Sequence, residues 1–257
     1  PVLIRGKGGV RLTENGRALL PAIREILNAN DHMDQIVANI RGMSFGRLRI
    51  GTFASASVLW LPKIIEEFSH DYPGIQIEII VGGNDSLISQ LDESCIDFAI
   101  MSNPPQGYEW IHLASDRMLV LLPPGHRLID KDRVTLDEID DDPFILSNEG
   151  FDYDGSQIIK GSGITPRLSF STMENRGIIA MIQHGLGVTV MPEMVLDSLE
   201  SNVITKELAP CEYRHMGIIV KSVHTASLAA KTFISYAKRI ISELGTYPVS
   251  YTHLTLP

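Results

Sequence analysis

Apolar residues along this chain change period twice, and each change marks a structural unit. Val2-Leu3-Ile4-Arg5 and Val10-Arg11-Leu12 are short β-type runs joined by Gly6-Lys7-Gly8-Gly9, whose glycines allow the positive φ of a tight hairpin turn. Thr13 then stands at a helix N-cap position, with Glu14 in the first turn favouring the helix dipole. Leu19, Ile23, Ile26, Asn30, Met33, Val37 and Ile40 follow at alternating steps of four and three. That spacing is a heptad seam with one polar position, Asn30, and it predicts a helix that pairs with a second copy of itself. The alternative is a surface helix docked on its own domain. The helix is expected to stop near Gly42, and Gly46 opens a new unit.

From Arg47 the pattern alternates between strands and helices. Arg47 to Thr52, Ile75 to Val81 and Ile96 to Met101 read as strands. A helix from Ala54 to about His70 and another capped by Asn84 or Asp85 separate them. The alternation then restarts with Met118 to Leu122, Phe144 to Leu146, a helix from about Gly155, and Leu168 to Ser171. A helix over Asn175 to His184, strands at Val188 to Met191 and His215 to Val220, and a last helix over Leu228 to Ile241 complete it. Such alternation predicts an α/β fold with open, mainly parallel sheets in two Rossmann-like subdomains and a cleft between them.

Ligands of such folds sit at the C-terminal ends of strands, beside helix N-termini. Three turns qualify: Thr52 to Ser57, Gly83 to Ser86, and Ser147 to Gly150. For the first, a serine N-cap alone is the commoner explanation, and the second also fits a simple helix cap.

Composition narrows the function. The chain is 44% hydrophobic and 21% charged, ordinary for a globular protein, and has no apolar run long enough to span a membrane. Cys95 and Cys211 are too few and too far apart for a disulfide framework, which favours a reducing compartment. Net charge is −9, but Arg5, Lys7, Arg11 and Arg17 against Glu14 give the first seventeen residues +3 and leave −12 for the remainder. A basic hairpin before an acidic body suits a phosphate contact at one end only. No G-x-S-x-G, P-loop or H-E-x-x-H is present, and no histidine pair has metal-ligand spacing. Neither a catalytic residue, a metal nor a cofactor is expected.

Arg11-Leu12-Thr13-Glu14-Asn15-Gly16 resembles the junction of wing and linker helix in LysR-type transcriptional regulators. Gln183 to Pro192, with Gly185-Leu186-Gly187, and Leu113 to Leu128 resemble two further segments of that family. The resemblance implies that residues 1–12 are the remnant of a winged helix-turn-helix, and 13–43 a linker and dimerisation helix. It implies an effector-binding domain over 47–245, of the type 2 periplasmic-binding-protein kind, with lobe I about 47–116 and 219–245 and lobe II about 117–218. Crossings between the lobes are expected near 102–118 and 218–222. Residues 248–257 resemble a non-native tail, so 246–257 are expected to be disordered, and the start is expected to be truncated.

The resemblance further implies that Arg5, Lys7 and Arg11 meet DNA phosphates in the intact protein, and that the seam residues form a homodimer or homotetramer. Ser55, Ala56, Ser57, Asn84, Ser102, Asn148, Glu149 and Thr172 are expected to touch a small-molecule effector. Asp85, Glu149, Asp152 and Asp154 near the rim argue against a strongly anionic one, and Arg176 is the candidate counter-charge. A cytoplasmic regulator is the expectation. A solute-binding protein of the same two-lobed fold is the alternative, which the heptad helix disfavours.

Overall fold

The computed structural model describes residues 1–6, 9–40, 45–103, 106–147, 153–165, 167–172, 174–199 and 203–245. Lys7, Asn148, Glu149, Asp152, the side chain of Ile40 and the tail from residue 246 lie outside the described residues.

Strands β1 (Leu3–Gly6) and β2 (Gly9–Leu12) form the expected antiparallel hairpin, with Leu3 opposite Leu12. Helix α1 (Glu14–Ile40) follows. Thr13 is its N-cap: the Thr13 hydroxyl accepts from the Gly16 N–H at 2.9 Å and donates to the Pro1 carbonyl at 2.8 Å, tying helix start to hairpin. Leu19, Ile23, Ile26 and Met33 remain exposed on α1, Ile26 at 70%.

The first lobe begins with β3 (Gly46–Thr52), α2 (Ala54–Leu59), α3 (Leu61–Asp71), β4 (Ile75–Val81), α4 (Asn84–Asp92) and β5 (Phe98–Ser102). The single helix expected over Ala54 to His70 is two. Pro62 has no N–H and its ring clashes with a preceding turn, so the chain breaks at Trp60 and restarts with proline in the first turn of α3. Trp60 is buried in the break, edge-on to Phe53 at 6.5 Å. Nor does Asn84 or Asp85 cap α4. Gly83 holds that position, and the Asn84 amide turns away to donate to the Ser102 carbonyl at 3.1 Å.

Strand β6 (Glu109–Leu122) belongs to both lobes. Its first part, Glu109 to Arg117, pairs with β12 (Tyr213–Val220); its second, Met118 to Leu122, pairs with β10 (Thr189–Pro192) and β11 (Ile204–Ala209). The second lobe adds β7 (Arg133–Thr135), β8 (Pro143–Ser147), α5 (Tyr153–Ser162), β9 (Arg167–Thr172), α6 (Asn175–Gln183) and α7 (Glu193–Leu199). Helix α8 (Leu228–Leu244) returns to the first lobe, where Phe233 packs on Phe68 at 5.2 Å.

Two expectations are corrected. All of β12 pairs with the first-lobe part of β6, and Met216 to Ile219 also with β5, so the second crossing falls between β11 and β12, at residues 210–212, not near 218–222. Residues 213–218 accordingly belong with lobe I. The sheets are also mixed and not mainly parallel: β4-β3-β5 is parallel, but β12 runs antiparallel to both neighbours. Strand β6 leaves the first lobe and β12 re-enters it, so the two must run in opposite directions.

Each lobe has core on both sheet faces. In the first, Leu48, Ile50 and Phe98 pack against Phe68 of α3 and Phe233 of α8, and Ile96 and Met101 pack against Leu87 and Leu91 of α4. In the second, Val120, Phe144 and Ile159 pack on one side and Leu121, Ile145 and Ile178 on the other. The Gly185-Leu186-Gly187 motif is part of this packing. Gly185 takes φ +76° after α6, and a Cβ on Gly187 would sit 2.3 Å from the Pro143 carbonyl oxygen where β8 pairs alongside.

Candidate functional site

Between the lobes, four elements deliver polar side chains to one buried point. Strand β5 ends with Ser102 and continues into Asn103, a non-glycine at φ +54° whose N–H donates to the His215 carbonyl at 3.1 Å. Strand β12 supplies Arg214, β6 supplies Asp116 just before it crosses, and the first turn of α5 supplies Asp154. Helix α5 can bring Asp154 this far because a glycine follows it. A Cβ on Gly155 would meet the Val190 carbonyl oxygen at 2.4 Å, so any larger residue would push α5 off β10.

The contacts run from lobe to lobe. The Ser102 hydroxyl lies 2.9 and 3.0 Å from the two carboxylate oxygens of Asp154, and the Asn103 amide donates to the nearer one at 2.6 Å. Arg214 donates from Nε to Asp116 at 2.8 Å, with Nη2 ion-paired to the same oxygen at 2.8 Å, from Nη1 to Asp154 at 3.4 Å, and from Nη2 to the Ser55 hydroxyl at 3.4 Å. Its guanidinium also lies 5.0 Å from the Phe53 ring centroid. The N–H of Met194 reaches both oxygens of Asp116, at 3.2 and 3.3 Å.

Arg214 and Asp154 are each only 5% exposed and Asp116 is wholly buried. Burial pushes the Asp116 carboxyl up to about 6, although the Arg214 charge and the Met194 N–H pull it down. Two carboxylates thus share one guanidinium away from water. Beside this network lies a cavity of about 640 Å³, bordered by Asn103, Asp154 and Arg214 on one side and by Leu136, Ile158 and Tyr213 on others. That is the size of a small-ligand site.

The expected effector residues divide. Ser55, Asn84 and Ser102 converge on the network. Ala56 does not: it is wholly buried in the first-lobe core, because α2 turns that face inward. Ser57 turns back to donate to the Ala54 carbonyl at 2.6 Å. Thr172 accepts from the Glu174 N–H at 3.2 Å in the turn into α6. Arg176 is exposed, and the buried cation is Arg214 instead. Arg214, Asp116 and Asn103 were absent from the expected set. The available signal was an acid, Asp116, inside the apolar run Leu113 to Leu122, which needs a buried partner.

A family model described as the LysR substrate binding domain matches residues 41–241. The chain belongs to the LysR family. It is 34% identical over 236 residues to an uncharacterised HTH-type transcriptional regulator, YvbU, of Bacillus subtilis strain 168, covering 91% of this chain and 81% of that protein. Among solved structures it resembles the regulatory domain of CcmR from Synechocystis PCC6803 in complex with 2-PG, with TM-score 0.69 at 19% identity, covering 77% of this chain and 98% of that one. It also resembles the effector-binding domain of QuiR in complex with shikimate, with TM-score 0.68 at 20% identity, covering 78% and 99%. The two-lobed architecture of this LysR-type regulator is therefore that of the family's effector-binding domain. Among its described residues no helix is long and apolar enough to cross a membrane.

Proposed function

We propose that this LysR-type regulator senses a small molecule between its lobes, and that its α1 helices pair so that the sensing domains set the spacing of DNA-binding heads. The observation that carries the reading is the single strand β6 running through both lobes. It makes the junction a hinge, and Ser55, Asn84, Ser102 and Arg214 are grouped beside it. A ligand that touches both lobes there binds the closed and open arrangements unequally, which is the requirement for a switch. CcmR and QuiR, whose domains share this fold, are in complexes with 2-PG and shikimate. A small polar metabolite is the corresponding ligand class for this chain, with no cofactor and no catalytic step.

Pairing is supported by the exposed seam. Leu19, Ile23, Ile26 and Met33 present an apolar stripe to solvent along α1, and a second such helix would bury it. Arg5 and Arg11 on the preceding hairpin are then carried in pairs, placed to meet DNA phosphates in the cytoplasm. The test is a thermal-shift screen of the full chain against organic acids, amino acids, sugars and nucleosides, with sedimentation equilibrium alongside. A saturable shift without turnover, in a protein that sediments as a dimer or larger, is the expected result. Turnover of the stabilising compound, or a monomer at all concentrations, would overturn the proposal.

A further inference from the structure

We propose that Ser102, Asn103 and Arg214 form a carboxylate receptor that the chain fills with its own Asp154, which makes Asp154 an internal competitor of any acid that enters between the lobes. The inference rests on the interlobe sensing reading and says what that site holds when no effector is bound. All three donors stand on the first lobe, and the acceptor comes from α5 of the second. Ser102 contacts both Asp154 oxygens, Asn103 contacts one at 2.6 Å and Arg214 the other at 3.4 Å. A hydroxyl, a primary amide and a guanidinium converging on one carboxylate are the donor types that recognise a bound acid.

Structural need does not account for Asp154. Arg214 is already matched by Asp116, which accepts from its Nε at 2.8 Å and is ion-paired with its Nη2 at the same distance. A second buried carboxylate leaves the cluster with more negative than positive groups, an arrangement whose desolvation is costly. What Asp154 adds is a link between lobes, since Asp116 and Arg214 lie on adjacent strands of one sheet. The cavity at its side supplies an approach. Asn103, Asp154 and Arg214 all border it, so an acid can reach Asn103 and Arg214 from there, and Ser102 behind them once the Asp154 side chain swings away. An effector acid then replaces a tethered carboxylate with one it brings itself. The interlobe link changes from one fixed by the chain to one fixed by the ligand's shape.

Removing the tethered group should open the receptor to a free one. In the full chain carrying Asp154→Ala, formate is the probe, with sodium chloride at equal ionic strength as the control. The melting temperature of the variant should rise saturably with formate, by roughly 3–6 °C at ten times the half-saturating concentration. The wild type should not respond, and Ser102→Ala in the Asp154→Ala background should abolish the response. If Asp154→Ala does not fold in chloride, formate in the refolding buffer should restore its native circular dichroism. No formate effect in either format, an equal effect on wild type, or one that survives Ser102→Ala would overturn the proposal. A compound that stabilises the wild type while formate fails on the variant would remove the receptor and leave interlobe sensing standing. A formate response with no stabilising compound for the wild type would uphold the receptor and count against sensing.

Discussion

Helices α1 and α8 carry the same kind of apolar stripe and meet opposite fates. Along α8, Phe233, Ile234, Ala237, Ile240 and Ile241 are buried against the first-lobe sheet and α3. Along α1, Leu19, Ile23, Ile26 and Met33 stay exposed. Helical periodicity therefore specifies that a face must be covered but not what covers it. The stripe of α8 is matched by residues far back in the chain, such as Phe68 and Phe98, with Phe233 5.2 and 5.8 Å from their ring centroids. The stripe of α1 has no such match in the described body, and its seam spacing suits a copy of itself.

Substitutions should separate the two faces by how they depend on concentration. Phe233→Ala removes a ring at the centre of the first-lobe core and should cost about 3–5 kcal/mol in urea unfolding, independent of protein concentration. A cost that varied with concentration would place α8 in an interface.

The next effect belongs to the lobe junction. In the folded protein Asp116 holds its proton up to about pH 6, against an ordinary value of 3.8. Between pH 4 and 6 the folded state therefore binds more protons than the unfolded one, and this group's contribution to stability falls as pH rises. A shift of that size corresponds to about 3 kcal/mol. The stability of Asp116→Asn relative to wild type should accordingly improve on going from pH 4.5 to 7, as read by denaturant unfolding at each pH. A constant difference would mean Asp116 titrates like an exposed acid.

At the start of α1, Thr13→Ala removes the hydroxyl that accepts from Gly16 and should weaken the first turn by about 1 kcal/mol, seen as faster hydrogen exchange at the Gly16 amide. Ile26→Asp should have the smallest effect on the lobes, within about 0.5 kcal/mol of wild type by thermal unfolding, because the residue is exposed. It should nevertheless abolish self-association in sedimentation. An unchanged sedimentation profile would leave α1 without its proposed partner.

The same division explains what could be read from sequence. Strands, helices and the two-lobed body were legible because burial writes a period of two or 3.6 into the chain. The second crossing was placed too late because β12 opens with Tyr213, Arg214 and His215, polar residues that interrupt the apolar signal. The strand read from the sequence begins only at His215, two residues after β12 itself does. Ser55, Asn84 and Ser102 were legible as strand-end and helix-start positions. Arg214 was not, because a buried arginine and a solvated one look alike until the partner, Asp116, ninety-eight positions earlier, is brought alongside. The burial of Ala56 was not legible for a related reason: its neighbours Ser55 and Ser57 suggest a polar turn, while α2 points that one side chain into the core.

The most direct test of interlobe sensing is a calorimetric titration of a stabilising metabolite into the wild type and into Ser55→Ala with Asn84→Ala. Binding should be weakened tenfold or more in the double variant, about 1.4 kcal/mol, with its melting temperature in the absence of ligand little changed. Equal dissociation constants for the two proteins would contradict interlobe sensing and place the ligand elsewhere on the molecule.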